Sequence, residues 1–308
     1  MKKYLIKIVL FFVAVAIVDV LFGIACQYMN DHSKGGGIKS RHYVCKESNE
    51  DVLIFGSSRA KHHYVPDIIE DSLGMTCYNT GEDGNGIILC YGFLKMITQR
   101  YSPKLIIYDV TSYDMYEDDN VKYLDLMKPF YNEPGIDTIF WTVEPKTRYM
   151  MLSNLYRYNT TCLRVLGNFI QPMWNYPKGY DALYKTMDYE PMNNKEALRT
   201  VDTLKISYFD KFIRLTQSYG IELICCVSPN YKDPYGEVFY KPIKSLCEEY
   251  NVPFLYYSAE PEISCDNTYF QDVTHLNDKG ARCFTKRLGN EIKIKQYINT
   301  QIQNNERH

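Results

Sequence analysis

Val52-Leu53-Ile54-Phe55-Gly56-Ser57-Ser58-Arg59 opens with four apolar residues and closes on a glycine, two serines and an arginine. The apolar run is too short for a helix and does not alternate with polar residues, the pattern of a central strand buried on both faces. Similar runs recur at Met75 to Tyr78, Leu105 to Val110, Leu223 to Val227 and Val252 to Tyr256. Between them lie helical patterns at Val65 to Leu73, Ile87 to Arg100, Leu204 to Tyr219 and Val238 to Tyr250. Strands alternating with helices predict an α/β fold, a three-layer α/β/α sandwich on a parallel, flavodoxin-like five-stranded sheet. Ligands of such sheets bind at the carboxyl ends of the strands, where Ser57 and Ser58 fall.

Outside this core the chain predicts three further segments. Lys2, Lys3 and Lys7 precede an apolar stretch from Ile8 to Cys26 that only Asp19 interrupts. It is nearly long enough to span a hydrocarbon core and longer than a usual signal-peptide core. Residues 1–28 are therefore expected to be an uncleaved transmembrane helix, with a cleaved signal or a lipoprotein signal ending at Cys26 as rivals. The lysines place its N-terminus in the cytoplasm and the body outside it, a single-pass periplasmic topology. Residues 29–50, with Gly35-Gly36-Gly37, read as a flexible tether, and the domain runs from 51 to 308. From 116 to 200 no strand-like run occurs, so a helical insertion over the strand ends is expected, in a position that suits a lid.

Composition narrows the function. Lys plus Arg number 35 against 37 Asp plus Glu, a net charge of −2, with no basic cluster beyond the first residues, so nucleic acid is excluded as a partner. The ten cysteines show no CxxC spacing and read as buried thiols rather than a disulfide frame, and the six histidines do not pair with them at ligand spacing, so no zinc site is expected. The 29 tyrosines suit sugar stacking and core packing equally.

Two short pieces carry chemistry. Asp272-Val273-Thr274-His275 places a carboxylate three residues before an imidazole at the entrance to the final helix. Such a pair can orient a general base. Ser58, where the first strand turns into a helix, can supply a nucleophile whose own N–H faces the developing oxyanion, with Ser57 as the helix cap. A glycine-rich turn, Asn79-Thr80-Gly81-Glu82-Asp83-Gly84, follows the second strand and could offer another N–H.

With these pieces in place, the chain from about Asp51 to Lys286 resembles the SGNH (GDSL-like) hydrolase superfamily, especially its membrane-anchored branch associated with bacterial envelope polysaccharide. Gly56-Ser57-Ser58 matches the family's Gly-Asp-Ser block, Asn79 to Gly84 its Asn-x-x-x-x-Gly block, and Asp272 with His275 its Asp-x-x-His block. The resemblance implies a triad of Ser58, His275 and Asp272, with Ser58 and Gly84 as oxyanion donors. The third block departs: where the family has Gly-x-Asn-Asp, this chain reads Tyr108-Asp109-Val110-Thr111-Ser112. Thr111, Ser112 or Asn230 could donate instead. The expected activity is a serine esterase or O-acyltransferase on acyl, chiefly acetyl, esters of envelope or capsular glycan, with polysaccharide-assembly proteins as partners. No cofactor is expected, because the acyl group would rest on Ser58. The rival is a catalytically inactive protein of the same fold that binds glycan.

Overall fold

A computed structural model describes residues 1–171, 175–190 and 199–305, the last helix by its backbone alone from 295 onward. In chain order, α1 (Lys2–Asp31) and α2 (Gly36–Lys46) come first. They are followed by β1 (Val52–Gly56), α3 (Ser58–His63), α4 (Pro66–Leu73), β2 (Cys77–Asn79), α5 (Ile87–Ile97) and β3 (Leu105–Asp109). Short helices come next: α6 (Ile136–Val143), α7 (Thr147–Met150), α8 (Asn154–Tyr158) and α9 (Cys162–Ile170). The chain ends with α10 (Thr203–Ser218), β4 (Glu222–Val227), α11 (Lys241–Glu249), β5 (Phe254–Tyr256), α12 (Pro261–Ser264) and α13 (Asp278–Asn305). Two packing units result, residues 1–47 with 119–175, and residues 48–118 with 176–308.

The second unit is the α/β sandwich that the apolar runs predict. Its five strands are parallel in the order β2-β1-β3-β4-β5. Successive side chains on a strand point to opposite faces, so each strand feeds two cores. Val52, Ile54, Leu105, Ile107, Ile224 and Cys226 pack with Ile69 of α4 and with Phe284 and Leu288 of α13. On the other face the rings of Phe55 and Tyr108 meet Phe212 of α10 at 5.5 and 5.2 Å. Burial of each such side chain contributes about 1.5–3 kcal/mol. One expected helix is shorter than its pattern: Val238 to Tyr240 form a 3-10 turn and α11 begins at Lys241. Pro242 sits in its first turn, the position that tolerates a missing N–H.

The first unit is helical. α1, 30 residues and about 45 Å long, is apolar and long enough to cross a membrane. The segment expected to be a flexible tether is corrected by α2, which starts at Gly36 and buries Ile38, Val44 and Cys45. Those apolar residues recur at helical spacing, which outweighs the three glycines. Within 116–200, residues 119–171 and 175 pack with α1 and α2, while Tyr116 and Val201 form a bridge inside the second unit. Residues 172–174 and 191–198 of the expected insertion lie outside the described residues. Tyr64, Tyr108, Tyr123, Tyr158, Tyr208 and Tyr240 are among the largest fully buried side chains, so much of the tyrosine content serves packing.

Candidate active site

β1 runs straight into α3, and Gly56 makes the turn. Its φ is +141°, and a Cβ there would lie 2.7 Å from the Asp109 carbonyl oxygen and 2.9 Å from Ala60 Cβ, so only glycine fits. The turn sets Ser58 at the first residue of α3, half-buried at the carboxyl end of the central strands. Ser57 occupies the N-cap position, but its hydroxyl makes no capping hydrogen bond, which corrects the expectation that it caps the helix.

Ser58 and His275, 217 residues apart, meet: Ser58 Oγ is 2.9 Å from His275 Nε2. His275 Nδ1 in turn lies 3.0 and 2.9 Å from the two oxygens of Asp272. An ionised carboxylate beside Nδ1 fixes the proton there and leaves Nε2 as an acceptor for the Ser58 hydroxyl. Asp272 itself is held by the loop, because its Oδ1 also accepts the N–H groups of Thr274 and His275, both at 2.9 Å. Burial alone would raise this carboxyl, but hydrogen bonding and attraction from His275, with the Thr274 bonds, bring it down to about 2. Asp272 is therefore an anion at any ordinary pH.

These groups open onto a cleft of about 180 Å³ bounded by Ser57 to Arg59, Thr111 to Tyr113, Arg199, Asn230, Tyr235, Phe239, Tyr240, Thr274 and His275. It is smaller than the usual range for drug-sized ligands. Gly84 is not in this wall; it lies exposed in the turn after β2 with φ +65° and nothing near its Cβ position. Gly81 of the same turn packs against α3 instead, where a Cβ would come within 2.5 Å of Lys61 N. Asn79 pins that helix by donating to the carbonyls of Ala60 and Tyr64 at 2.7 and 2.9 Å. The glycine-rich turn thus supports α3 from behind.

Of the three substitute donors, Thr111 is occupied: its N–H and hydroxyl both donate to Asp114, at 2.7 and 3.0 Å. Ser112 lies half-buried in the wall. Asn230 is fully buried, donates one amide hydrogen to Ser258 Oγ at 2.9 Å, and has no partner for Oδ1. Asn230 also lines the cleft.

A charged network behind the serine was not legible in the sequence. Arg59 Nε and Nη2 donate to the two oxygens of Asp109 at 3.1 and 3.3 Å and to Ser228 Oγ and its carbonyl at 3.2 and 3.1 Å. Asp109 also accepts from Tyr64 OH at 2.7 Å and Ser228 N–H at 2.9 Å. This ion pair ties α3 to the ends of β3 and β4. The only sequence signals were an arginine right after the serines and an aspartate closing an apolar strand.

No family model matches the chain, and no curated protein sequence is similar to it. Among solved structures it is similar to an acetyl xylan esterase, at 13% identity over 77% of this chain and 97% of that one, with a TM-score of 0.40. It is also similar to a GDSL-like lipase from Bacteroides thetaiotaomicron, at 11% identity over 78% of this chain and 88% of that one, with a TM-score of 0.36. The chemistry must come from the residues around Ser58.

Proposed function

We propose that the chain is a serine esterase or O-acyltransferase of SGNH type acting on short acyl esters of glycan. The observation that carries this reading is the continuous line from Ser58 Oγ through His275 Nε2 and Nδ1 to Asp272, with both links near 2.9 Å. As the Ser58 oxygen attacks the ester carbonyl carbon, its proton moves to Nε2 of His275, and the imidazolium so formed is stabilised by Asp272. The tetrahedral oxyanion faces the N–H of Ser58 and the amide of Asn230. Collapse breaks the ester C–O bond, and Nε2 returns the proton to the departing alcohol, leaving an acyl group on Ser58. Water completes hydrolysis, or a sugar hydroxyl completes transfer, with His275 accepting the incoming proton.

The glycan part of the proposal rests on the cleft's aromatic side. Tyr235 and Phe239 lie with ring centroids 4.7 Å apart, and Tyr116 OH donates to the Phe239 carbonyl at 2.6 Å to hold that wall. Ring faces beside hydroxyl and amide donors suit a sugar, and the small cleft suits a short acyl group. With α1 across the membrane and the lysines inside, the site works on the outer side. External protease should then digest the domain in cells with a permeabilised outer layer.

Two observations favour a second reading, a glycan-binding protein without turnover: Thr111 is committed to Asp114, and Gly84 is away from the cleft. A fluorophosphonate probe separates the two. Labelling of the wild type but not of Ser58→Ala, with loss of p-nitrophenyl acetate turnover in the variant, supports the enzyme. An unlabelled wild type with turnover unchanged by Ser58→Ala would sink it.

A further inference from the structure

Asp19 interrupts the apolar stretch of α1, and the first turn of α8 answers it. Its carboxylate accepts hydrogen bonds from Ser153 Oγ at 2.7 Å, Asn154 N–H at 2.9 Å, Asn154 Nδ2 at 3.0 Å and Leu155 N–H at 2.8 Å. One turn further along, Gly23 admits Asn154: a Cβ there would come within 2.3 Å of Asn154 Cγ. Tyr158 OH then donates to Gln27 Oε1 at 2.5 Å, and Lys34 N–H to the Asn168 carbonyl at 3.1 Å. The contacts climb in step, so α8 and α9 run beside α1 from Asp19 to its end at Asp31, a rise of about 18 Å.

The side chains that this pair exposes are largely apolar, with Asn159, Thr160 and Arg164 as polar exceptions. Leu152 and Leu163 are 78% and 80% exposed, and Leu155, Leu166 and Ile170 are exposed with them. Val20, Leu21 and Ile24, next to Asp19 and Gly23 on α1, are exposed as well. Arg157 turns inward, to Asn132 Oδ1 and the Met151 carbonyl. Arg164 lies one helical turn from Asn168 and hence near Lys34, where headgroups would be. Asp19 is about 18 Å along the helix from Lys7, well inside a hydrocarbon core of about 30 Å.

We propose that α8 and the start of α9 are embedded in the bilayer beside α1, in the leaflet far from Lys7, with lipid acyl chains against Leu152, Leu155 and Leu163. The proposal rests on α1 being a membrane span. The carboxylate of Asp19 is then the fixing point, since four donors satisfy it where no water can. The first unit would then sit in the membrane on three helices rather than one.

The test uses the full chain in phosphatidylcholine–phosphatidylglycerol vesicles, with a genetically encoded spin-labelled residue at 152, 163, 13 or 219. Collision with oxygen and with a water-soluble nickel chelate reports depth. Val13 on α1 and Tyr219 at the entrance to β4 are the lipid and water references. Oxygen contact and nickel exclusion at 152 and 163, as at 13, support the proposal. Nickel contact at both, as at 219, or shielding from both reagents, overturns it. Nickel contact at 13 would instead remove the membrane-span reading on which it rests.

Discussion

The N–H of Leu276, the residue after His275, donates to Nε2 of His63 at 2.9 Å. His63 is fully buried, and its Nδ1 donates to Ser228 Oγ at 2.8 Å. Since Nε2 accepts, Nδ1 carries the proton and the ring is neutral. His63 therefore acts as a positioning residue, fixing the backbone that presents His275. His63→Ala should lower kcat for p-nitrophenyl acetate about 10–100-fold, the range for lost supporting groups, with KM little changed. His63→Gln, which can still accept from Leu276, should recover part of the loss. An Ala variant with wild-type kcat would show that the loop needs no such support.

The same residue predicts a pH dependence of stability. Burial first, then the positive charge of Arg59 and the neighbouring His275 and His62, holds His63 well below the ordinary histidine value. The unfolded chain then binds more protons than the folded one, so stability is lost as pH falls below about 6.5. His62 works in the opposite sense: burial lowers it, but its bonds to Asp83 and the Asp181 carbonyl prevail and raise it. Its contribution is present below about 6.5 and fades as pH rises through the raised value. The larger displacement at His63 should dominate, so the urea midpoint should drop between pH 7 and 5, and His63→Gln should flatten the drop. A wild-type midpoint independent of pH over that range would contradict a neutral buried His63.

The triad and its neighbour Ser57 should separate cleanly. Ser58→Ala and His275→Ala should each reduce ester turnover at least about 10³-fold, and the double variant should lose little more, because such groups act as a unit. Asp272→Asn should be milder, the imidazole keeping its place but losing its tautomer. Ser57→Ala removes no capping bond and should cost less than about 1 kcal/mol, the loss expected when a cap is removed. A measured loss near 1 kcal/mol would restore the capping role.

Asn230 and Thr111 distinguish the oxyanion donors. Asn230→Ala should lower kcat about 10²–10³-fold, the range for removing one donor. Thr111→Val should act through Asp114 and the Ser112–Asp114 3-10 turn that Thr111 caps, lowering stability more than kcat. The reverse pattern would move the donor to Thr111.

Removing one partner of the buried Arg59–Asp109 pair should be costly. Asp109→Ala leaves the Arg59 guanidinium without its carboxylate and should destabilise the fold by about 3–5 kcal/mol, read by urea unfolding. A loss below about 1 kcal/mol would mean that Ser228 alone satisfies Arg59.

By itself the sequence determined the sheet, because parallel strands buried on both faces must be short unbroken apolar runs, and those runs stand out at 52, 105 and 223. It also determined the Asp272 to His275 link, since three residues of loop bring those side chains together without help from the rest of the fold. Tertiary structure decided everything that depends on closure over long separations. Ser58 reaches His275 only because β1 is central and the loop before α13 returns to the same edge. Arg59 finds Asp109 because Gly56 lies beside Asp109 in the β1–β3 register. The roles of His63 and Asn79 are backbone hydrogen bonds, which leave no mark in residue pattern. The pairing of α8 and α9 with α1 was likewise hidden, because one carboxylate in an apolar run does not say which distant N–H groups will satisfy it.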